Sequence, residues 1–82
     1  MSAARQNIPR WLLGVKIEGT RLTTRETQVL RRLALGDNLP RASRKLGISY
    51  ETARSHAKAA RARLGAKTTI QAVAIAVSLD MI

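Results

Sequence analysis

The chain has 82 residues, with 15 lysines and arginines against five acidic residues, and its net charge is +10. It lacks cysteine and has a single histidine, which excludes a disulfide framework, a thiolate metal site and a zinc site built by that histidine alone. The acids are scattered along the chain and no glycine-rich phosphate loop occurs. We therefore expect no catalytic site, no cofactor and no metal.

Hydropathy gives no sign of a membrane protein. The longest apolar run, residues 72–77, is far shorter than the roughly 18 residues that a spanning helix needs. The apolar stretch Trp11–Ile17 is interrupted by Gly14 and Lys16, which is unlike a signal peptide. We expect a soluble cytoplasmic protein, and its charge predicts a polyanionic partner.

Residues 1–21 are interpreted as an N-terminal arm and residues 22–82 as the single domain. The arm is polar up to Arg10 and then carries the apolar segment Trp11–Ile17, in which we expect Trp11 to pack in the core. The pattern does not distinguish strand from helix in this arm.

Two helices are predicted next. Thr23-x-x-Glu26 is a capping box, and the helical spacing of the apolar residues after it predicts a helix over 24–35, closed by Gly36 in a left-handed conformation. A short helix over 39–46 follows, capped by Asp37 or Asn38.

The third helix is predicted over 50–64, with Ser49 as its N-cap and Gly65 at its end. Its inward residues are small, which allows a close helix crossing: Ala53, Ala57, Ala60 and Leu64. The second and third helices, joined by a tight turn at Gly47, form a helix-turn-helix pattern.

A fourth helix is predicted over 69–79, after a second capping box, Thr68-x-x-Gln71. It carries two apolar stripes, one of Ile70, Val73, Ala74 and Val77 and the other of Ala72, Ile75, Ala76 and Leu79. A helix that is apolar nearly all round needs a second burial partner. We assign the second stripe to a homodimer interface across a two-fold axis; the alternative is that the N-terminal arm covers it.

The positive charge is concentrated on the helix-turn-helix. Residues 41–67 hold eight basic residues and one acid, a net charge of +7. A projection of the third helix places Ser55 and Lys58 on its outer face, flanked by Arg54 and Arg61. Such a face fits a DNA major groove about 12 Å wide, so double-stranded DNA is the predicted partner. For Tyr50 the sequence allows two roles, a contact with the sugar-phosphate backbone or packing at the start of the helix.

The motifs together resemble a known family. Leu22–Leu30 is similar to the LT-x-RE-x-x-VL opening of the LuxR/GerE-type DNA-binding domain. Further matches follow in register over residues 22–79 without gaps: Ala34-x-Gly36, Leu46–Ser49, Thr52–His56, Leu64-Gly65 and Gln71–Ala76.

The resemblance implies an all-α, four-helix domain whose third helix reads the major groove and whose fourth helix dimerises. By position, Arg54, Ser55 and Lys58 match the base-reading sites. Thr52 and Arg61 match phosphate contacts, and the basic segment adds three candidates of the same kind, Arg44, Lys45 and Lys67. Proteins of this family regulate transcription, often as activators that contact RNA polymerase, so we expect the protein to be associated with the nucleoid.

The chain also departs from the family pattern. The family usually has Ile-Ala where this chain has Ala42-Ser43, Val at the position of Ala53 and Ile at that of Ala60. Each methylene missing from the core is worth roughly 0.8 kcal/mol if buried. We expect the segment Trp11–Ile17 to fill that volume. Only the arm precedes the first helix, so a stand-alone member without a receiver or autoinducer domain is expected.

The sequence is compatible with three functions. The first is a sequence-specific regulator, a homodimer on a pseudo-palindromic site. The second is an interaction module that pairs through the fourth helix with a larger LuxR-type regulator and modulates it. The third, non-specific nucleic-acid binding, is allowed by composition, although RNA is disfavoured because no aromatic stacking platform is present.

Overall fold

The computed structural model describes residues 10–12 and 20–82. A single 3₁₀ turn, Arg10–Leu12, precedes four helices: α1 (Thr24–Ala34), α2 (Leu39–Leu46), α3 (Tyr50–Leu64) and α4 (Thr69–Ser78). The described residues contain no strand, which confirms the all-α class. Each helix ends within one residue of its predicted end.

The first capping box is formed as predicted. Thr23 Oγ1 accepts a hydrogen bond from the Glu26 amide at 3.1 Å, and Glu26 Oε1 accepts one from the Thr23 amide at 3.0 Å. These bonds satisfy two of the amides that the start of a helix leaves without an intrahelical partner. Glu26 is thereby tied to the beginning of α1.

The second capping box is only half formed, so that prediction is wrong in part. Thr68 Oγ1 accepts from the Gln71 amide at 3.0 Å, but Gln71 Oε1 accepts from the amide of Lys67. The backbone explains the difference: Thr68 has φ −137°, against −70° for Thr23, and this rotation turns the Thr68 amide away from the helix.

Local caps define both ends of α2 and the start of α3. Asn38, rather than Asp37, caps α2 by accepting from the Arg41 amide at 2.9 Å. Gly47 ends α2 with φ +68°, a conformation that costs glycine little because it has no side chain. Ser49 Oγ then accepts from the Thr52 amide at 3.0 Å and starts α3. Gly47 and Ser49 thus form the tight turn that joins α2 to α3.

The core lies on the small-residue face of α3, and α3 packs against each of the other three helices. Val29 of α1 is buried with Ala53 and Ala57 of α3 in one cluster. The larger cluster joins the 3₁₀ turn, α1, α3 and α4, and its buried members are Leu12, Leu30, Ala60, Leu64, Ala72, Ile75 and Ala76. The exposed face of α3 is thus fixed in place by the packing of the opposite face.

The arm contributes a different residue to the core from the one predicted. Trp11 is 47% exposed, whereas Leu12 is 2% exposed and belongs to the large cluster. The 3₁₀ turn directs only one of two consecutive side chains inward. Leu12 shares this cluster with Ala60, so one residue of the arm packs in the core that contains this alanine. Residues 13–17 of the predicted anchor lie outside the described part of the chain.

The two faces of α4 are also exchanged relative to the prediction. Ala72, Ile75 and Ala76 are fully buried within one copy of the chain, and Leu79 packs against the same cluster. Since α1, α3 and Leu12 already cover Ala72, Ile75 and Ala76, these three side chains cannot also contact a second copy. Their assignment to a dimer interface is therefore corrected, whereas that of Leu79, which is half-buried, stays a prediction. The other stripe is the open one, with Ile70 84% and Val77 51% exposed.

Candidate nucleic-acid interface

Three cations converge beside the outer face of α3. Arg54 and Lys58 are exposed, and neither side chain forms a hydrogen bond or an ion pair with the residues that the structure describes. Together with Arg61 they border a cleft of about 310 Å³, whose lining is completed by Leu39, Ala57 and Thr69. Cations around an open cleft are suited to an anionic ligand, and Arg54 and Lys58 need break no contact with a described residue to bind it.

The predicted base-reading residues therefore share one surface. Arg54 and Lys58 border the cleft, and Ser55 is exposed between them in sequence on the same helix. The guanidinium of an arginine can donate two hydrogen bonds to one guanine edge, and a lysine or serine can donate one. Because α3 is packed against all three other helices, these side chains extend from a fixed backbone.

Thr52 and Arg61, the phosphate candidates on α3, already make protein contacts. Arg61 is half-buried and its Nη1 donates to the carbonyl oxygen of Lys67 at 3.3 Å. Thr52 is exposed, and its Oγ1 accepts from Ser49 Oγ at 2.8 Å. Both bonds leave donor groups available, since a guanidinium has five N–H groups and the Thr52 hydroxyl hydrogen is not used in its bond.

The candidates outside α3 fall into two groups. Arg44 and Lys67 are exposed, and neither side chain is hydrogen-bonded or ion-paired to any described residue. Lys45 instead forms an ion pair with Asp37 at 2.8 Å, and Arg32 approaches the other oxygen of Asp37 at the same distance. Hydrogen bonds from Lys45 and then from Arg32 lower the pKa of the Asp37 carboxyl group below its usual range. Lys45 is thus partly neutralised, which makes it the weakest of the phosphate candidates.

The sequence analysis predicted none of the ion pairs of the described residues, and one of them changes the interpretation of the basic segment. Arg63 Nε, near the end of α3, lies 3.0 and 3.1 Å from the two carboxylate oxygens of the buried Glu26. The partners are 37 positions apart, so no local pattern connects them. Arg63 is therefore a structural cation that ties α3 to the start of α1, although its charge was counted in the basic segment.

The described residues offer little for other chemistry. They contain no group of three or more histidine, cysteine, aspartate or glutamate residues that could hold a metal ion. None of the helices described is long and apolar enough to cross a membrane. The unpaired cations on and beside α3 are the chemical feature that remains.

Comparison with known protein families identifies the family of this chain. The sequence model of the family described as bacterial regulatory proteins, luxR family (GerE) matches residues 20–76. That range contains α1, α2 and α3 completely and most of α4. No curated protein and no solved structure gives a significant match.

Proposed function

The chain belongs to the LuxR family of bacterial regulatory proteins and carries its DNA-binding helix-turn-helix domain, and from this we propose that it recognises a specific DNA sequence as a homodimer and regulates transcription there. The observation that carries the proposal is the outer face of α3. Its Arg54 and Lys58 are exposed and free of partners among the described residues, while its inner face is fully packed.

In the proposed complex α3 lies in the major groove. Arg54, Ser55 and Lys58 contact base edges, with Arg54 donating both hydrogen bonds to a guanine. Thr52 and Arg61 bind phosphates beside the groove, and Arg44, Lys67 and, more weakly, Lys45 add attraction to the backbone. Phosphate contacts position the protein and base contacts supply the specificity.

The direct test is the selection of genomic DNA fragments on the purified protein at about 0.15 M salt with competitor DNA present. A specific reader recovers a sequence motif. Recovery of random fragments, with an affinity that falls steeply as salt rises, would leave phosphate attraction as the whole of the binding and would overturn the proposal.

Arg54 and Arg61 are expected to behave differently when each is replaced by alanine. Arg54→Ala should weaken binding to the selected site by about 1–3 kcal/mol and relax the preference at one base pair. Arg61→Ala should weaken all sequences alike and reduce the salt slope by about one, because it removes a phosphate contact. Equilibrium binding to the site and to a scrambled duplex over a salt series measures both. An unchanged motif for Arg54→Ala would exclude it as a base reader.

The dimer is proposed to form through the exposed stripe of α4. Ile70 and Val77 are seven residues apart, about two helical turns, and so lie on the same face. Val73 and Ala74, which are half-buried, lie between them. An isologous contact along this stripe would bury it against its own copy. Two copies of α3 would then reach half-sites about 34 Å apart on a pseudo-palindrome.

The double variant Ile70→Glu/Val77→Glu is expected to be a folded monomer, because like charges would face each other across the two-fold axis. Sedimentation equilibrium gives the mass, and binding to an inverted repeat should fall far more than binding to one half-site. Leu35→Glu is the matched control, since Leu35 is 66% exposed at the end of α1, away from α4 in sequence. A double variant that dimerises like the wild type would rule out this interface.

The same exposed stripe supports a second candidate function, pairing with a larger LuxR-type regulator. In that case the purified chain would remain monomeric alone and form a mixed dimer when such a regulator is added. The unpaired cations on α3 favour the DNA-binding homodimer, because a sequestering partner has no need of them.

A further inference from the structure

Glu51 is an exception on a basic surface. It is the only acid among residues 41–67, and it is exposed in the first turn of α3. A carboxylate facing DNA is repelled by the phosphates, so general attraction to the backbone cannot explain it.

The position of Glu51 on α3 matches that of the proposed base readers. At 3.6 residues per turn, Glu51 lies about 40° around the helix from Ser55 and about 20° from Lys58. All three residues are exposed. Glu51 is one turn nearer the N-terminus of α3, and this end of a recognition helix is the part that contacts base edges.

Glu51 also differs from the other described acids in having no partner. Glu26 is buried and Asp37 is half-buried, both are ion-paired, and Asp80 is engaged as well. Glu51 forms no hydrogen bond or ion pair with any described residue, even though Arg54 is three positions away. An ion pair within α3 therefore does not account for its presence.

The chemistry of the carboxylate selects among the bases. An ionised carboxylate only accepts hydrogen bonds, and the donors in the major groove are the amino groups of cytosine and adenine. Adenine also places the acceptor N7 beside its amino group, which opposes a second carboxylate oxygen. Cytosine N4 therefore fits Glu51 better.

We propose that Glu51 is a specificity-determining residue that accepts a hydrogen bond from a cytosine amino group at one base pair of each half-site. The inference rests on the proposed DNA-binding function and adds to it. The repulsion between Glu51 and phosphate lowers the affinity for every sequence, and only the matching base pair offsets it with a hydrogen bond. Glu51 therefore favours its own base pair and penalises binding that relies on the backbone alone.

The test is the fragment selection described above, repeated with three variants. Glu51→Gln should shift one position from cytosine to adenine, because glutamine pairs with adenine N6 and N7. Glu51→Ala should lose about tenfold in discrimination at that position while its affinity for scrambled DNA rises. Glu51→Asp keeps the charge but is one methylene shorter, so it should weaken the cytosine preference and leave the affinity for scrambled DNA unchanged.

The outcomes separate this inference from the function on which it rests. If the wild-type protein selects no motif, the proposed function fails. If it selects a motif that all three variants share, Glu51 reads no base and the inference alone is overturned. A role limited to the helix dipole would lower the thermal stability of Glu51→Ala and Glu51→Gln without changing the motif.

Discussion

Replacing Ile75 with glutamate is expected to unfold the domain. Ile75 is fully buried in the cluster that joins α1, α3, α4 and the 3₁₀ turn. A glutamate there would place a carboxylate among apolar side chains with no partner, and it would also remove packed methyl groups. The expected loss is more than about 4 kcal/mol, a large part of the 5–15 kcal/mol that typically stabilises a domain.

The loss of helical circular dichroism at 25 °C measures this effect, and Val77→Glu is the matched control. Val77 is two residues further along α4 and is half-exposed, so its replacement should keep the helical signal. A folded, monomeric Ile75→Glu protein would contradict this packing and would return Ile75 to an interface between copies.

The second large effect is expected from Leu12→Ala in the arm. Leu12 is buried in the same cluster as Ala60, which stands where the family usually has a larger residue. Shortening its isobutyl side chain to a methyl group should cost about 2–5 kcal/mol, since the helices around it can close only part of the space. The arm is thereby predicted to be part of the folded domain.

Urea denaturation gives the free energy of unfolding for this comparison. Trp11→Ala, which removes a larger but half-exposed side chain from the adjacent position, should cost clearly less. If the two variants lose equal stability, or Trp11→Ala loses more, Leu12 is not the anchor of the arm.

The sequence by itself predicted the helices and the turn between α2 and α3 because their signals are local. The Thr23–Glu26 capping box, the Asn38 and Ser49 caps and the left-handed Gly47 depend on neighbours a few residues away. The inner alanines of α3 followed from helical spacing alone, and so did the exposure of Arg54 and Lys58 on its outer face.

Only the tertiary structure decided which of two equivalent candidates is buried. Both stripes of α4 are apolar at helical spacing, so periodicity cannot tell which one meets α1 and α3. Trp11 and Leu12 are adjacent and apolar, and the choice between them depends on the direction in which the 3₁₀ turn faces the core.

The ion pair between Arg63 and Glu26 likewise could not be predicted from the sequence. Its ends are brought together by the packing of α3 on α1 and not by any spacing along the chain. Local hydrogen bonds and side-chain periodicity are encoded in short segments, and they determined the helices and the exposed side of α3. Contacts between distant segments depend on how the finished helices pack, and that packing decided the core face of α4, the anchor of the arm and which cations remain free.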